Sequence, residues 1–173
     1  AVTNQNVAEV TLKGFDLQAS YGRDLLGGDL QVSYVGTYTT ESTTLPFAGG
    51  EPIECEGQFG LDCGEPLPDY KHRMTFNWSK DKLTTQLLWR YVGEVDDDDA
   101  ETTYFVETID GTHYFDGVAS YAITDNYRVS FGVDNLFDEK PPIIGDNQQQ
   151  ANTYPATYDV FGRTYFLRAS ANF

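Results

Sequence analysis

The chain has 173 residues, a medium domain's length, with 40% apolar residues, 14% aromatics and a formal net charge of −16. That aromatic content excludes a disordered chain, and acids outnumbering bases 27 to 11 exclude a nucleic-acid binder. No apolar run approaches the roughly 18 residues of a transmembrane helix. The start, Ala1-Val2-Thr3-Asn4-Gln5, has neither the basic residues nor the apolar stretch of a signal peptide. The chain therefore reads as a mature protein, a cytosolic one, or a piece of something longer.

Period-two alternation recurs along the chain and helical periodicity is almost absent. The segment Thr11 to Tyr21 puts Phe15, Leu17, Ala19 and Tyr21 on one face. Next, Leu30, Val32, Tyr34 and Tyr38 alternate with Gln31, Ser33 and Thr37. His72, Met74, Phe76 and Trp78 alternate with Lys71, Arg73, Thr75 and Asn77. Leu83, Thr85, Leu87, Trp89 and Tyr91 alternate with Thr84, Gln86, Leu88 and Arg90. A weaker run covers His113 to Tyr121, and Tyr127, Val129, Phe131 and Val133 alternate with Arg128, Ser130, Gly132 and Asp134. Tyr165, Leu167, Ala169, Ala171 and Phe173 close the series. These patterns predict seven strands, at 8–22, 28–42, 69–79, 82–94, 112–123, 126–137 and 158–173. Several exceed the usual strand length of about five or six residues.

Short links alternate with long ones at 43–68, 95–111 and 138–157, so the long connections emerge together at one end of an up-and-down sheet. Connections of that length without structure of their own are usually functional or disordered. Charge is segregated with them. The stretches 41–69, 94–110 and 138–159 hold 7, 8 and 4 acids and a single base, Lys140, which leaves the strands and short turns slightly basic.

One face of each strand is greasy and the other carries Arg, Lys, Gln, Asn, Ser and Thr. A soluble sandwich would bury the apolar face on a second sheet, whereas a membrane barrel turns it to lipid and lines its interior with the polar face. Strands of about 9–11 residues suit a tilted membrane crossing. Tyr21, Trp78, Tyr121, Tyr127 and Phe173 lie on apolar faces near short turns or the chain end, at one height, as an interfacial aromatic girdle does. The plainer explanation, that Tyr and Trp are good strand formers, does not account for their common height.

Asp134-Asn135-Leu136-Phe137-Asp138-Glu139-Lys140-Pro141-Pro142 resembles the penultimate-strand motif of TonB-dependent outer-membrane receptors. The run from Phe161 to Phe173, with Tyr165, Leu167, Ala169, Ala171 and a terminal aromatic, is similar to the family's closing strand, and that resemblance implies a signal for the barrel-assembly machinery. Lys13 to Tyr21 also looks like a barrel strand of these receptors. The resemblance covers essentially the whole chain but only the C-terminal part of the family. It implies an all-β antiparallel transmembrane barrel of which this is the last seven strands of about 22. It further implies an outer-membrane location, TonB-driven uptake of a scarce nutrient (an iron-siderophore complex, cobalamin or an oligosaccharide), and a ligand captured at the acidic outer loops. The N-terminal plug domain and the TonB-engaging segment belong to parts of the family this chain does not cover. No enzymatic activity and no cofactor are implied. Two other architectures are weighed against it: a small passive porin, which requires an eighth strand and a closed sheet, and a secreted β-sandwich that binds carbohydrate.

Cys55 and Cys63, the two cysteines, both fall in the first long connection. A cell-surface setting favours a disulfide, worth about 2–3 kcal/mol for so short a loop, over half of a metal site. Asp96, Asp97, Asp98 and Asp99 offer hard oxygens for Ca²⁺, but the segment lacks the EF-hand glycine, and a solvated acidic loop is the preferred reading. His72 and His113 have no nucleophile or orienting acid at a recognisable spacing, which argues against catalysis. Arg73, Arg90, Arg128 and Arg168 share the polar face. In a lumen they would pair with Asp16, Asp116, Asp134 or a plug's acids, or else draw in an anionic substrate.

Overall fold

A computed structural model describes residues 9–47, 49–99, 101–145 and 151–172. The alternating segments are strands, joined in chain order. β1 (Glu9–Leu25) and β2 (Gly28–Leu45) form a long hairpin, followed in the first long connection by β3 (Ile53–Glu54), β4 (Gln58–Gly60) and β5 (Gly64–Leu67). β6 (Tyr70–Lys80) and β7 (Leu83–Val92) make the second hairpin, and β8 (Val95–Asp97) and β9 (Thr108–Ile109) lie in the second connection. β10 (Thr112–Ala122), β11 (Tyr127–Asp134) and β12 (Thr164–Ala171) complete the chain. Leu26 and Gly27 both take positive φ, 55° and 74°, as a tight two-residue hairpin turn requires.

Seven strands run side by side in the order β1-β2-β6-β7-β10-β11-β12, every pair antiparallel, with β3 appended to the upper end of β2. The first and last strands are not paired with each other. The closed eight-stranded porin is therefore overturned. The register carries the apolar face unbroken across the sheet: Phe15 opposes Tyr38, Val32 opposes Phe76, Phe76 opposes Leu87, and Phe131 opposes Leu167. No second sheet covers that face among the described residues, and Phe15, Leu17, Phe131, Tyr165 and Leu167 lie exposed on it. The sandwich reading fails for the same reason.

Two bands of polar aromatics bound this greasy surface. Trp78 and Tyr121 stand at the short-turn end, and Tyr70 and His113 stand at the other, eight residues away along their strands. Eight residues span about 27 Å along a strand, or about 20 Å of height at the tilt of barrel strands, close to the roughly 25 Å apolar band of an outer-membrane barrel. Of the lower girdle expected from the sequence, Tyr21, Trp78, Tyr121 and Tyr127 take their places on this face; Phe173 lies outside the described residues. The upper band was not anticipated. It is a stack of rings in which His72 lies 4.5 Å from Trp89, and the Trp89 indole N–H donates to His113 Nδ1 at 3.1 Å.

The long connections correct the sequence reading. They are not structureless. β5, β4, β8 and β9 form a second, four-stranded sheet from two different connections, including one parallel pair, β4 with β8. The buried hydrophobic cluster of the described residues sits here: Phe59, Val95, Ile109, Ile144, Tyr154 and Tyr158, drawn from all three connections. Cys55 and Cys63 are disulfide-bonded, with their Cα atoms 5.4 Å apart. The last strand begins at Thr164 instead of 158, because Tyr158 is committed to this loop core and Asp159 to the wall. Likewise the eleventh strand ends at Asp134, because Asn135 turns to a positive φ of 52°.

Candidate functional site

The face opposite the greasy one is knitted by polar contacts between neighbouring strands. Thr37 donates to Asp16 at 2.6 Å, Gln86 donates to Asn77 at 2.8 Å, and the hydroxyls of Ser120 and Ser130 share a 2.8 Å hydrogen bond. Phe166 is the aromatic exception in β12; its ring lies across Gly132, whose missing side chain makes the space.

Near the loop end, β7, β10 and the third connection converge on Arg90. Its Nε donates to Asp116 at 3.1 Å and its Nη2 to Asp159 at 2.6 Å. The guanidinium carbon sits 4.9 Å from the centre of the Tyr114 ring, a cation–π contact. Tyr114 is fully buried on a strand whose neighbours on that face are polar, and its hydroxyl accepts the Asp159 backbone N–H at 3.3 Å. Asp116 Oδ1 also accepts the Asn135 N–H at 2.8 Å. The third connection is thus folded inward and tied to the wall at Asp159.

Asp134, Asn135, Leu136, Phe137 and Asp138 build the corner beside this network. The Asn135 side chain brackets Glu139, donating to its carbonyl and accepting its N–H, both at 2.8 Å. The Leu136 N–H donates to the Phe115 carbonyl, and the Phe137 ring meets Phe115 edge-on. Asp138 accepts from Lys140 Nζ and from the Arg163 N–H, each at 2.8 Å. The Lys140 hydrogen bond and then the Arg163 N–H hold its carboxyl below the usual range. The motif is a hinge of fixed shape that steers the chain into the third connection.

Only part of the expected charge pairing is found. Asp116 does pair with Arg90, but Asp16 and Asp134 serve hydroxyls, of Thr37 and Thr164, instead of arginines. Arg73, Arg128 and Arg168 lie on the polar face opposite Arg90, Ser170 and Ser130 and have no carboxylate partner within 4 Å among the described residues. Asp159 and Tyr114 were missed. The available signal was Tyr114 itself, a large ring on the polar side of an alternating strand.

The four aspartates do not converge on an ion, and no group of three or more His, Cys, Asp or Glu among the described residues is placed to hold one. Their carboxylates serve the loop itself. Asp96 accepts from the Thr108 hydroxyl, Asp97 from the Asp99 N–H, Asp98 from the N–H groups of Asp62 and Cys63, and Asp99 from those of Glu101 and Thr102. These acids, exposed or partly exposed, also cap backbone donors beside an apolar core. Burial, with the charges of Asp97, Asp98 and Glu65, pushes the Tyr154 hydroxyl up to about 12, and deeper burial raises Tyr158 further.

A single-layer antiparallel sheet that is greasy outside, charged and hydrogen-bonded inside, and crowned by folded connections at one end is the wall of a transmembrane β-barrel. A family model described as TonB dependent receptor-like, beta-barrel, matches residues 1–136. The chain belongs to that family, and with it to the bacterial outer membrane. It is 30% identical over 124 residues to the ferric enterobactin receptor PirA of Pseudomonas aeruginosa, an alignment covering 65% of this chain and 16% of that protein. Crystal structures of the ferric enterobactin receptor PfeA from the same organism share the fold. One superposes with a TM-score of 0.64 at 19% identity over 95% of this chain and 22% of that one. Another, in complex with BCV-L6, gives 0.60 at 22% identity over 94% of this chain and 22% of its own. The chain thus spans about a fifth of the length of these relatives.

Proposed function

We infer that this chain is the C-terminal wall segment of a larger barrel of about 22 strands, in a receptor that imports a ferric siderophore with energy delivered through TonB and a plug domain. The likeness to the ferric enterobactin receptor PirA carries this reading. The wall supports it: exposed arginines on the interior face suit an anionic iron chelate. In this reading the short turns face the periplasm, the loop module faces outward, and the closing residues Tyr165, Leu167, Ala169, Ala171 and Phe173 present the assembly signal.

Radio-iron uptake into iron-starved cells tests the inference. Deleting the gene should abolish uptake of an anionic ferric tris-catecholate while uptake of cobalamin and maltooligosaccharides continues, and uptake should also stop in cells without TonB. Unchanged tris-catecholate uptake with loss of one of the other nutrients would reassign the substrate.

A further inference from the structure

The short-turn end of the greasy face carries cations where hydrocarbon gives way to headgroups. Lys80 stands opposite Leu83, and Leu83 opposite Tyr121, so this lysine belongs to the lipid-facing side of the wall. Arg23 stands opposite Leu30, and Leu30 opposite Trp78, on the same side. Lys82 follows in the turn between β6 and β7. The acids of the first hairpin point the other way: Asp24 and Asp29, opposite one another, alternate with Arg23 and Leu30 and so fall on the interior face. Lys80, Lys82 and Arg23 have no carboxylate within 4 Å among the described residues.

Both lysine heads are held in place. Lys80 Nζ donates to the Leu26 carbonyl and Lys82 Nζ to the Ile123 carbonyl, each at 3.1 Å. The Trp78 indole N–H donates to the Leu25 carbonyl at 2.9 Å. An ammonium keeps donors to spare after one such bond. Both lysines line one cleft of about 380 Å³, together with Trp78, Asp81, Leu83 and Tyr121. Trp78, Leu83 and Tyr121 supply apolar surface, and two positive charges stand against one acid, Asp81. The strands beneath, β6, β7 and β10, are each paired on both edges, and the cleft is on the side away from the barrel interior. Neither a further strand of the barrel nor an interior domain can cover it.

We propose that Lys80 and Lys82 clasp the phosphate of an anionic glycerophospholipid, of the phosphatidylglycerol kind, whose glycerol and first acyl carbons lie on Trp78, Leu83 and Tyr121. Basic side chains beside a leaflet attract anionic headgroups, and aromatic rings at headgroup level suit the glycerol region. A zwitterionic lipid brings its own ammonium, which the lysines repel. The site needs only that the greasy face meets lipid; the import reading adds that the leaflet concerned is the periplasmic one.

The intact receptor carrying this chain, with a bimane fluorophore on Ile123→Cys, is reconstituted into phosphatidylcholine vesicles. Ile123 is 53% exposed beside the cleft, and the two native cysteines of the chain are tied up in their disulfide. Brominated phosphatidylglycerol, phosphatidylethanolamine or lipid A is mixed in, and quenching of the bimane reports which lipid occupies the cleft. Phosphatidylglycerol should reach half-quenching at about tenfold lower mole fraction than phosphatidylethanolamine. Lys80→Gln with Lys82→Gln, whose amides can still donate to the turn carbonyls, should erase that preference, and Lys80→Arg with Lys82→Arg should keep it. Asp81→Asn removes the one acid and suits the positive φ of 52° there, so it should tighten phosphatidylglycerol binding about threefold, a gain that damage to the fold would not produce. Equal quenching by the two phospholipids in the parent would overturn the proposal, as would a preference that survives the double glutamine variant. Tighter binding of lipid A through the same lysines would also overturn it, and would place the short turns in the outer leaflet. Uptake of the tris-catecholate reports separately: its absence from the parent would refute import and leave the lipid site standing.

Discussion

The carboxylate of Asp98 accepts the backbone N–H of Cys63 at 2.6 Å and that of Asp62 at 2.9 Å, so one side chain of the second connection holds the disulfide-closed turn of the first. Hydrogen bonds to a charged acceptor contribute about 1.5–3 kcal/mol. Asp98→Ala should therefore loosen the four-stranded loop sheet by about 2 kcal/mol and leave the wall intact, whereas Asp98→Asn, which keeps an acceptor oxygen, should cost less. Hydrogen exchange supplies the measurement: the Asp62 and Cys63 amides should lose protection in Asp98→Ala, while amides of β7 and β10 stay protected. Reducing the Cys55–Cys63 bond should add about 2–3 kcal/mol of loosening to the same module.

Tyr154 and Tyr158 make the loop core sensitive to alkali. Both hydroxyls titrate above the ordinary value, Tyr154 at about 12 and Tyr158 higher, first because burial disfavours the phenolate. A group whose folded pKa is raised contributes its full stability below the unfolded value of about 10 and loses it as pH climbs through the folded one. The loop module should accordingly open between pH about 10 and about 12, with the wall strands retained. Tyrosinate absorbance followed alongside circular dichroism will show it as a late phase in the phenol titration. Tyr158→Phe should remove part of that phase and shift the opening to higher pH.

The wall was legible because period two, once buried on one side, leaves no freedom of register. Leu30, Val32 and Tyr34 could face only the way Trp78, Phe76 and Met74 face across the ladder. The loop module was not legible, because β4, β8 and β9 are three residues or fewer and no alternation can be read from so short a run. Its apolar residues are also scattered among acids, so that composition reads as solvated while Phe59 and Ile144 are fully buried. At the site, Arg90 could be assigned to the interior face by alternation, but its second partner could not be named. Asp159 is 69 residues away in sequence and reaches Arg90 only because the third connection folds inward.

Asn135 is the point where β11 stops, and its role cannot be shared by an ordinary residue. It combines a positive φ, which asparagine tolerates better than most side chains, with a side chain that satisfies both the N–H and the carbonyl of Glu139. It is 1% exposed, so neither group has water as an alternative. Asn135→Ala should cost about 2–3 kcal/mol. Asn135→Gly, which restores the backbone but not the bonds, should recover the smaller part, and Asn135→Asp should fail to donate to the Glu139 carbonyl. The fraction of receptor migrating as folded species in semi-native electrophoresis after graded heating should fall in the order parent, Asn135→Gly, Asn135→Ala.

The assignment of faces makes the sharpest demand on two neighbouring positions. Leu87 lies midway between the aromatic bands on the greasy face, opposite Phe76 and Gly117, whereas Thr75 lies one residue from Phe76 on the interior face, opposite Leu88. A guanidinium at mid-bilayer on the lipid side of a barrel costs about 2–4 kcal/mol, and the same group facing a wet lumen costs little. Leu87→Arg should thus depress folding into vesicles strongly and Thr75→Arg hardly at all, although the two sites are within one residue of each other across the ladder. Urea titration of the folded receptor in thin-bilayer vesicles compares them directly. Equal losses for the two variants would mean that the greasy face meets protein instead of hydrocarbon, because only lipid contact separates two arginines placed so close together.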